Sequence, residues 1–324
     1  MTKTIKILAV IPGSDNPASM IFAKDQVASI NKQGVESKIF FLQSRLSPGQ
    51  LLKSIGLFRR EIKEFKPDII HAYYGTVTSF FSAISTRKPL VITFQGSDIN
   101  KTPSDGFVRD LFGRILSNLS VLRASSVICV SPKLKNQIWW QRNKVHVIPN
   151  GINIDLFAPM GKEEVRKSLE WNQEEKVILF NANNPKIKRL DLAELVITEI
   201  NKNIPNARLH VLKGSTPPRD IALYLNACDC LLLCSDSEGS PMIIKEALAC
   251  NTPIVSVDVG DVKERISGLK GTFIADKTPV SLAETIIKIL LYEERTLGRQ
   301  KLVDDGLSEV DVAKSIVSIY KKLI

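Results

Sequence analysis

Residues 231–264, LLLCSDSEGSPMIIKEALACNTPIVSVDVGDVKE, decide how the chain is read. An apolar strand over 231–233 runs into a polar loop, where Ser240-Pro241 reads as an N-cap followed by a first helical residue. Ile244, Ala247 and Leu248 then share one helical side, and a β-branched run, TPIVSVD, follows at once. Strand, loop, short helix and strand in close succession is the unit of a parallel sheet. Two carboxylates frame the loop: Glu238 before the helix and Glu246 in its second turn, with seven residues between them. A helix N-terminus beyond a strand offers N–H groups and a positive dipole end to a phosphate. A carboxylate nearby accepts two hydroxyl hydrogen bonds at once, which suits a sugar. A nucleotide sugar presents both features.

The same alternation extends in both directions. IKILAVI (5–11), ESKIFFL (36–42), DIIHAYY (68–74), PLVITFQ (89–95), SSVICVS (125–131) and VHVIPN (145–150) read as strands with helical stretches between them. The first such stretch, 19–32, is stopped by Gly34. In the second half EKVILFNA (175–182), ARLHVL (207–212), DCLLLCS (229–235), TPIVSVD (252–258) and GTFIA (271–275) are strands, and 190–201, 241–249, 279–290 and 312–323 are helices. PNGINIDLFAP (149–159) separates the halves, rich in residues that favour turns. The fold class is therefore α/β, with two parallel-sheet domains in tandem. Open sheets of this kind bind ligands beyond the carboxyl ends of their strands, so two of them facing each other make a cleft lined by the post-strand loops.

A length of 324 residues fits two domains rather than one core. No apolar run approaches the roughly 18 residues that a membrane span needs. The N-terminus begins basic, but Pro12-Gly13 ends its apolar run too soon for a signal segment, so it reads as a first strand of a cytoplasmic protein. Lys and Arg number 44 against 34 Asp and Glu, a net charge of +10. Such a surface attracts nucleotides, nucleic acid or acidic lipid without choosing among them. The five cysteines have no accompanying histidine cluster and read as buried, reduced thiols rather than a zinc site.

The combination of motifs resembles the retaining nucleotide-sugar glycosyltransferases of family 4, the glycosyl transferases group 1. The pieces are Glu238-Gly239-Ser240-Pro241, Glu246 after seven residues, Ala247-Leu248-Ala249-Cys250-Asn251-Thr252-Pro253 and Gly260-Asp261-Val262-Lys263-Glu264. PNGINIDLFAP resembles the family's inter-domain stretch, and VITFQGSDI (91–99) its Thr-Phe-His-Gly-Ser-Asp segment. The resemblance implies the GT-B fold: two Rossmann-like domains facing across a cleft. Residues 1–155 would form the acceptor domain, with a C-terminal helix near 309–324 packing back on it, and 156–308 the donor domain. It also implies roles. Glu246 binds the donor ribose, Glu238 lies at hydroxyls of the transferred sugar, and Gly239, Ser240 and Pro241 hold the sugar or phosphates. Lys188 matches the family's diphosphate-gripping Lys. Asn183 stands at the Arg position, leaving Lys186 or Arg189 to supply the second cation. Fixed cations there offset charge that develops on the leaving diphosphate.

Several positions depart from the pattern. Gln95 stands where the family has His, so it can hydrogen-bond on the sugar side but not shuttle a proton. Asn251 and Asp261 replace glycines. The region 207–233 is short, with room for only one strand and one helix between ARLHVL and DCLLLCS, which leaves Lys213, Gly214 and Ser215 as base-pocket candidates. On the acceptor side Gly13, Ser14 and Asn16 follow strand one, His71 is read as following DII, and Gly96 lies beside Gln95.

The expected activity is retaining transfer of a hexosyl unit from a UDP- or GDP-sugar to a hydroxyl acceptor. That acceptor is a saccharide or lipid-linked oligosaccharide of a cell-surface polysaccharide pathway. No cofactor is called for, and no Asp-x-Asp metal clamp is seen at a strand end. Residues 104–125 and 51–66 are basic and amphipathic: they either pack in the core or touch an acidic membrane at the inner face. A dehydrogenase would need a G-x-G-x-x-G after a strand, which is missing. A nucleic-acid binder would need a stacking face that 6% aromatics do not suggest. A sugar-nucleotide epimerase on the same plan stays open.

Overall fold

The structure is a computed structural model and describes residues 4–16, 19–44, 47–100, 107–292 and 294–324. The chain divides into two compact units, Met1–Gly151 together with Glu309–Ile324, and Ile152–Ser308. Unit 1 contains β1 (Lys6–Pro12), β2 (Glu36–Leu42), β3 (Ile69–Tyr73), β4 (Leu90–Phe94), β5 (Ser126–Cys129) and β6 (Val145–Val147). They form one parallel sheet in the order β2-β1-β3-β4-β5-β6. Unit 2 contains β7 (Lys176–Asn181), β8 (Ala207–Leu212), β9 (Cys230–Leu233), β10 (Ile254–Ser256) and β11 (Thr272–Ile274), parallel in the order β11-β10-β9-β7-β8.

The central strands are continuous apolar runs because both faces of the sheet are covered there. In KILAVIP every residue after Lys6 is buried, and CLLL of β9 is buried throughout. Several helices start where a polar residue precedes proline. Ser47 caps Pro48–Phe65, Ser131 caps Pro132–Lys135 and Asn184 caps Pro185–Lys188, each accepting a backbone N–H of the first turn. The C-terminal helix Glu309–Lys321 buries Val312, Ile316 and Tyr320 against Ile5, Ile7 and Ile69 in unit 1.

Two local expectations change. The helix after β9 runs Met242–Ala249 with Pro241 at its N-cap, and Ser240 makes no cap because its hydroxyl donates to Asp261 Oδ2 at 2.9 Å. His71 does not follow a strand; it is the third residue of β3 and wholly buried. Its Nδ1 lies 2.5 Å from the Tyr320 hydroxyl and its Nε2 2.7 Å from Thr93 Oγ1. Burial pushes the imidazole down to about 3, so it is a neutral core residue.

Candidate active site

In unit 2 the chain leaves β7 for β8 on one side and returns to β9 on the other. The carboxyl ends of β7 and β9 therefore flank a topological switch point, where open α/β sheets leave a crevice. Loops from both strands meet there. Asp236 N–H donates to the Ile187 carbonyl at 2.8 Å, and Cys234 Sγ lies 3.5 Å from the Lys188 and Arg189 carbonyls. Lys188, from the β7 side, pairs with Glu238, from the β9 side, and Ser235 Oγ donates to the same Glu238 oxygen at 2.8 Å. Both charged side chains are mostly buried, 16% and 13% exposed, so solvent screens the pair weakly.

Glu246 sits half-buried on Met242–Ala249. Burial raises its carboxyl to about 7, against the opposing charges of Lys245 and Lys188. Lys188 thus acts on both carboxylates. Behind the loop, Lys245 is buried and its amine is pushed down to about 8 by burial, with Asp261 holding it up. Its Nζ donates to Ser240 Oγ at 3.2 Å, and Arg265 Nε donates to the Asp261 carboxylate at 2.9 Å. Gly260 has φ +58°, and a Cβ there would meet the Gly239 carbonyl at 2.8 Å. The loop after β10 is therefore laid directly on the Gly239 carbonyl and Glu238 Cβ, which requires glycine.

The structure brings Lys188, Glu238, Gly239, Ser240, Pro241 and Glu246 onto these adjoining loops and the helix that follows. Asn183 and Gly214 are neighbours, since a methyl on Gly214 would overlap the Asn183 amide. Lys213 and Lys186 are exposed. Arg189 is turned away from the pair: its guanidinium forks onto Asp191, at 2.9 and 2.8 Å, and reaches Asp236 at 3.4 Å. Neither Lys186 nor Arg189 joins Lys188 and Glu238 among the described contacts. Lys277, after β11, pairs with Asp236 and donates to the Ser235 carbonyl at 3.1 Å. Nothing in its local sequence marked it, because it reaches this loop from a different strand.

Unit 1 has its own switch point between β1 and β3. Gly13 takes φ +103° there, and its N–H donates to the Leu42 carbonyl at 3.0 Å. Ser14 and Asn16 are exposed, and the Asn16 carbonyl accepts from Lys24 Nζ at 2.6 Å. Asp98 is a buried anchor the sequence reading missed. Its carboxylate accepts the backbone N–H groups of Gly75 (2.8 Å), Gln95 (3.0 Å) and Gly96 (2.7 Å), tying the loops after β3 and β4 together. The signal was an acid just beyond a strand end, where loop N–H groups need an acceptor. Gln95 exchanges amide hydrogen bonds with Asn150, donated by Asn150 Nδ2 at 2.7 Å and by Gln95 Nε2 at 3.4 Å.

Residues 15–156 match the Glycosyltransferase Family 4 profile and residues 210–301 match Glycosyl transferases group 1. The chain belongs to glycosyltransferase family 4. This glycosyltransferase is 28% identical over 292 residues to TuaC of Bacillus subtilis strain 168, a protein named for teichuronic acid biosynthesis, covering 81% of this chain and 72% of TuaC. Its fold is GT-B. It superposes on a sucrose-phosphate synthase from Thermosynechococcus elongatus with a TM-score of 0.81, at 16% identity, over 98% of this chain and 99% of the other. Anabaena HepE, solved with UDP and glucose, gives 0.77 at 19% identity over 98% of this chain and all of HepE.

Proposed function

We propose that this glycosyltransferase moves a hexosyl unit, with retention, from a UDP- or GDP-sugar to a hydroxyl of a growing cell-surface polysaccharide or lipid-linked oligosaccharide. The observation that carries the reading is Lys188 pairing with Glu238 at the β7–β9 switch point, with its charge also acting on Glu246. A donor diphosphate takes the place of the Glu238 carboxylate as partner of Lys188. Glu238 then accepts hydrogen bonds from the transferred sugar, and Glu246 from the ribose. The acceptor oxygen bonds to the anomeric carbon as the bond to the diphosphate breaks, on the same face, and the acceptor proton passes to the leaving phosphate oxygen. Lys188 offsets the charge that gathers there. No metal is called for in this reading, so turnover persists in EDTA. The identity to TuaC supports a polysaccharide pathway, and the UDP complex of HepE supports a uridine donor.

A thermal-shift screen of UDP-, GDP- and ADP-sugars tests the donor, because a ligand that binds only the folded state raises the melting temperature. One nucleotide should stabilise the chain preferentially, and proton NMR of the product should show the donor's anomeric configuration. No stabilisation by any donor, an inverted product, or epimerised donor in place of transfer contradicts the reading.

A further inference from the structure

Two residues at helix starts in unit 2 forgo the local hydrogen bond that their types ordinarily make. Ser240 precedes Pro241 and the helix Met242–Ala249, and Asp261 is the N-cap of Val262–Ile266, yet neither side chain caps its helix. Each turns to the other instead: Ser240 Oγ donates to Asp261 Oδ2 at 2.9 Å, across 21 residues of sequence. The same hydroxyl accepts from Lys245 Nζ at 3.2 Å, and the same carboxylate oxygen accepts from Arg265 Nε at 2.9 Å. Ser240 Oγ is thus held between an ammonium and a carboxylate.

Stability alone is a poor reason for a lysine here. Lys245 and Asp261 are each 1% exposed and Ser240 8%. Ile243, Ile244, Ala247, Leu248 and Ala249 of the same helix are buried too, so the ammonium sits within an apolar element. A buried ammonium is costlier than a methionine of similar volume, and replacing a buried ion pair by apolar side chains is often neutral or stabilising. What the charges do here is fix a place. Ser240 follows Glu238 and Gly239 in the loop read as holding the donor, and Gly260, next to Asp261, bears on the Gly239 carbonyl and Glu238 Cβ. With the hydroxyl engaged from both sides, only the main chain of Ser240 is left to meet a ligand.

We propose that Lys245 and Asp261 are positioning residues for donor binding: gripping Ser240 Oγ from two sides, they hold the Gly239–Ser240 main chain in the conformation that receives the donor's sugar or diphosphate. Neither side chain touches the donor. The loop binds through backbone N–H groups set from behind, and Ser240 contributes no hydroxyl to recognition. Arg265 supports the carboxylate and continues to Asp305 at 3.6 Å, which joins the grip to the end of the helix Gly298–Asp304. The proposal rests on the reading of Glu238 and Glu246 as donor-binding residues, and it adds the groups that fix the loop between them.

The test is steady-state kinetics of the full chain at pH 7, where the buried Lys245 amine keeps its proton, with the donor that stabilises the parent. The variants are S240A, K245M, D261N and S240A/K245M, beside Glu246→Gln as control. S240A removes the shared hydroxyl and little else. It should raise the donor KM about tenfold and change kcat less than about threefold, because the loop meets the donor in ground state and transition state alike. K245M and D261N should move KM in the same direction. The double variant should match S240A to within about twofold, because the lysine acts through the hydroxyl. A lysine that only supports the fold would lower the melting temperature and leave KM unchanged. A parent-like donor KM in S240A, K245M or D261N, or losses that simply multiply in the double variant, overturns the proposal. Should K245M not fold, S240A and D261N decide alone. If Glu246→Gln loses the donor while these variants keep it, only the positioning role falls; a parent-like KM in Glu246→Gln as well removes the donor site with it.

Discussion

Lys188 and Glu238 neutralise one another, so neither is left as an uncompensated, mostly buried charge. If Lys188 offsets leaving-group charge as proposed, replacing it by Ala should lower kcat/KM for transfer by roughly 10²–10³. A loss below threefold in steady-state assays would assign that role elsewhere. Glu246 makes a sharper prediction. Its carboxyl is raised from the ordinary 4.5 to about 7, so between those values the folded chain holds a proton that the unfolded chain has released. Stability contributed by this group falls as pH rises through that window and stays lower above it. Glu246→Gln should therefore raise the melting temperature of the ligand-free protein at pH 8, by roughly 2–4 °C, while abolishing donor stabilisation. Donor affinity in the parent should weaken roughly tenfold from pH 8 to pH 6, as the carboxylate proposed to accept from ribose is protonated. A pH-independent affinity would contradict that assignment. The spacing of Glu238 and Glu246 was legible because both belong to one strand-loop-helix unit. Lys277 was not, because its approach to Asp236 depends on how β10 and β11 extend the sheet.

Among the elements, the loops are held by close backbone approaches that a sequence records only as glycines. Gly260→Ala forces a left-handed residue and a clash onto the Gly239 carbonyl. The donor KM should rise at least about tenfold with the overall fold retained, since the strain falls on a loop rather than on the core. An unchanged KM would show that the loop after β10 does not shape the site. His71 shows where pattern reading stops. The run DIIHAYY is apolar on both sides of the histidine, so nothing in it marks whether the strand ends before or after that residue. The answer comes from Tyr320, far along the chain in the helix Glu309–Lys321. Tyr320→Phe leaves a buried ring nitrogen without its partner and should cost about 1–3 kcal/mol in denaturant unfolding, with donor affinity unchanged. A specific loss of acceptor affinity without destabilisation would return His71 to the site. Ser240 carries a related lesson: Ser-Pro at a helix start reads as a cap, but Asp261, which replaces a glycine of the family pattern, takes up the hydroxyl.

For the whole molecule, strand–helix alternation made the parallel sheets legible, because a right-twisted parallel pair needs a crossover long enough for a helix. The order of strands was not legible. It depends on β8 pairing on one side of β7 while β9 pairs on the other, a choice settled by packing across the unit 2 core. That order makes the crevice between β7 and β9 in which Lys188 meets Glu238. The net charge of +10 also misleads when read for the chain as a whole, since it conceals a basic unit joined to a slightly acidic one. The central claim is that Lys188, Glu238 and Glu246 together hold a nucleotide sugar. It is tested most directly by calorimetric titration of the stabilising donor into the parent, Lys188→Ala, Glu246→Gln and the double variant. Each single variant should bind at least about tenfold more weakly, and the double variant should lose less than the two losses combined, because Lys188 and Glu246 interact. Parent-like affinity in both single variants would contradict the claim.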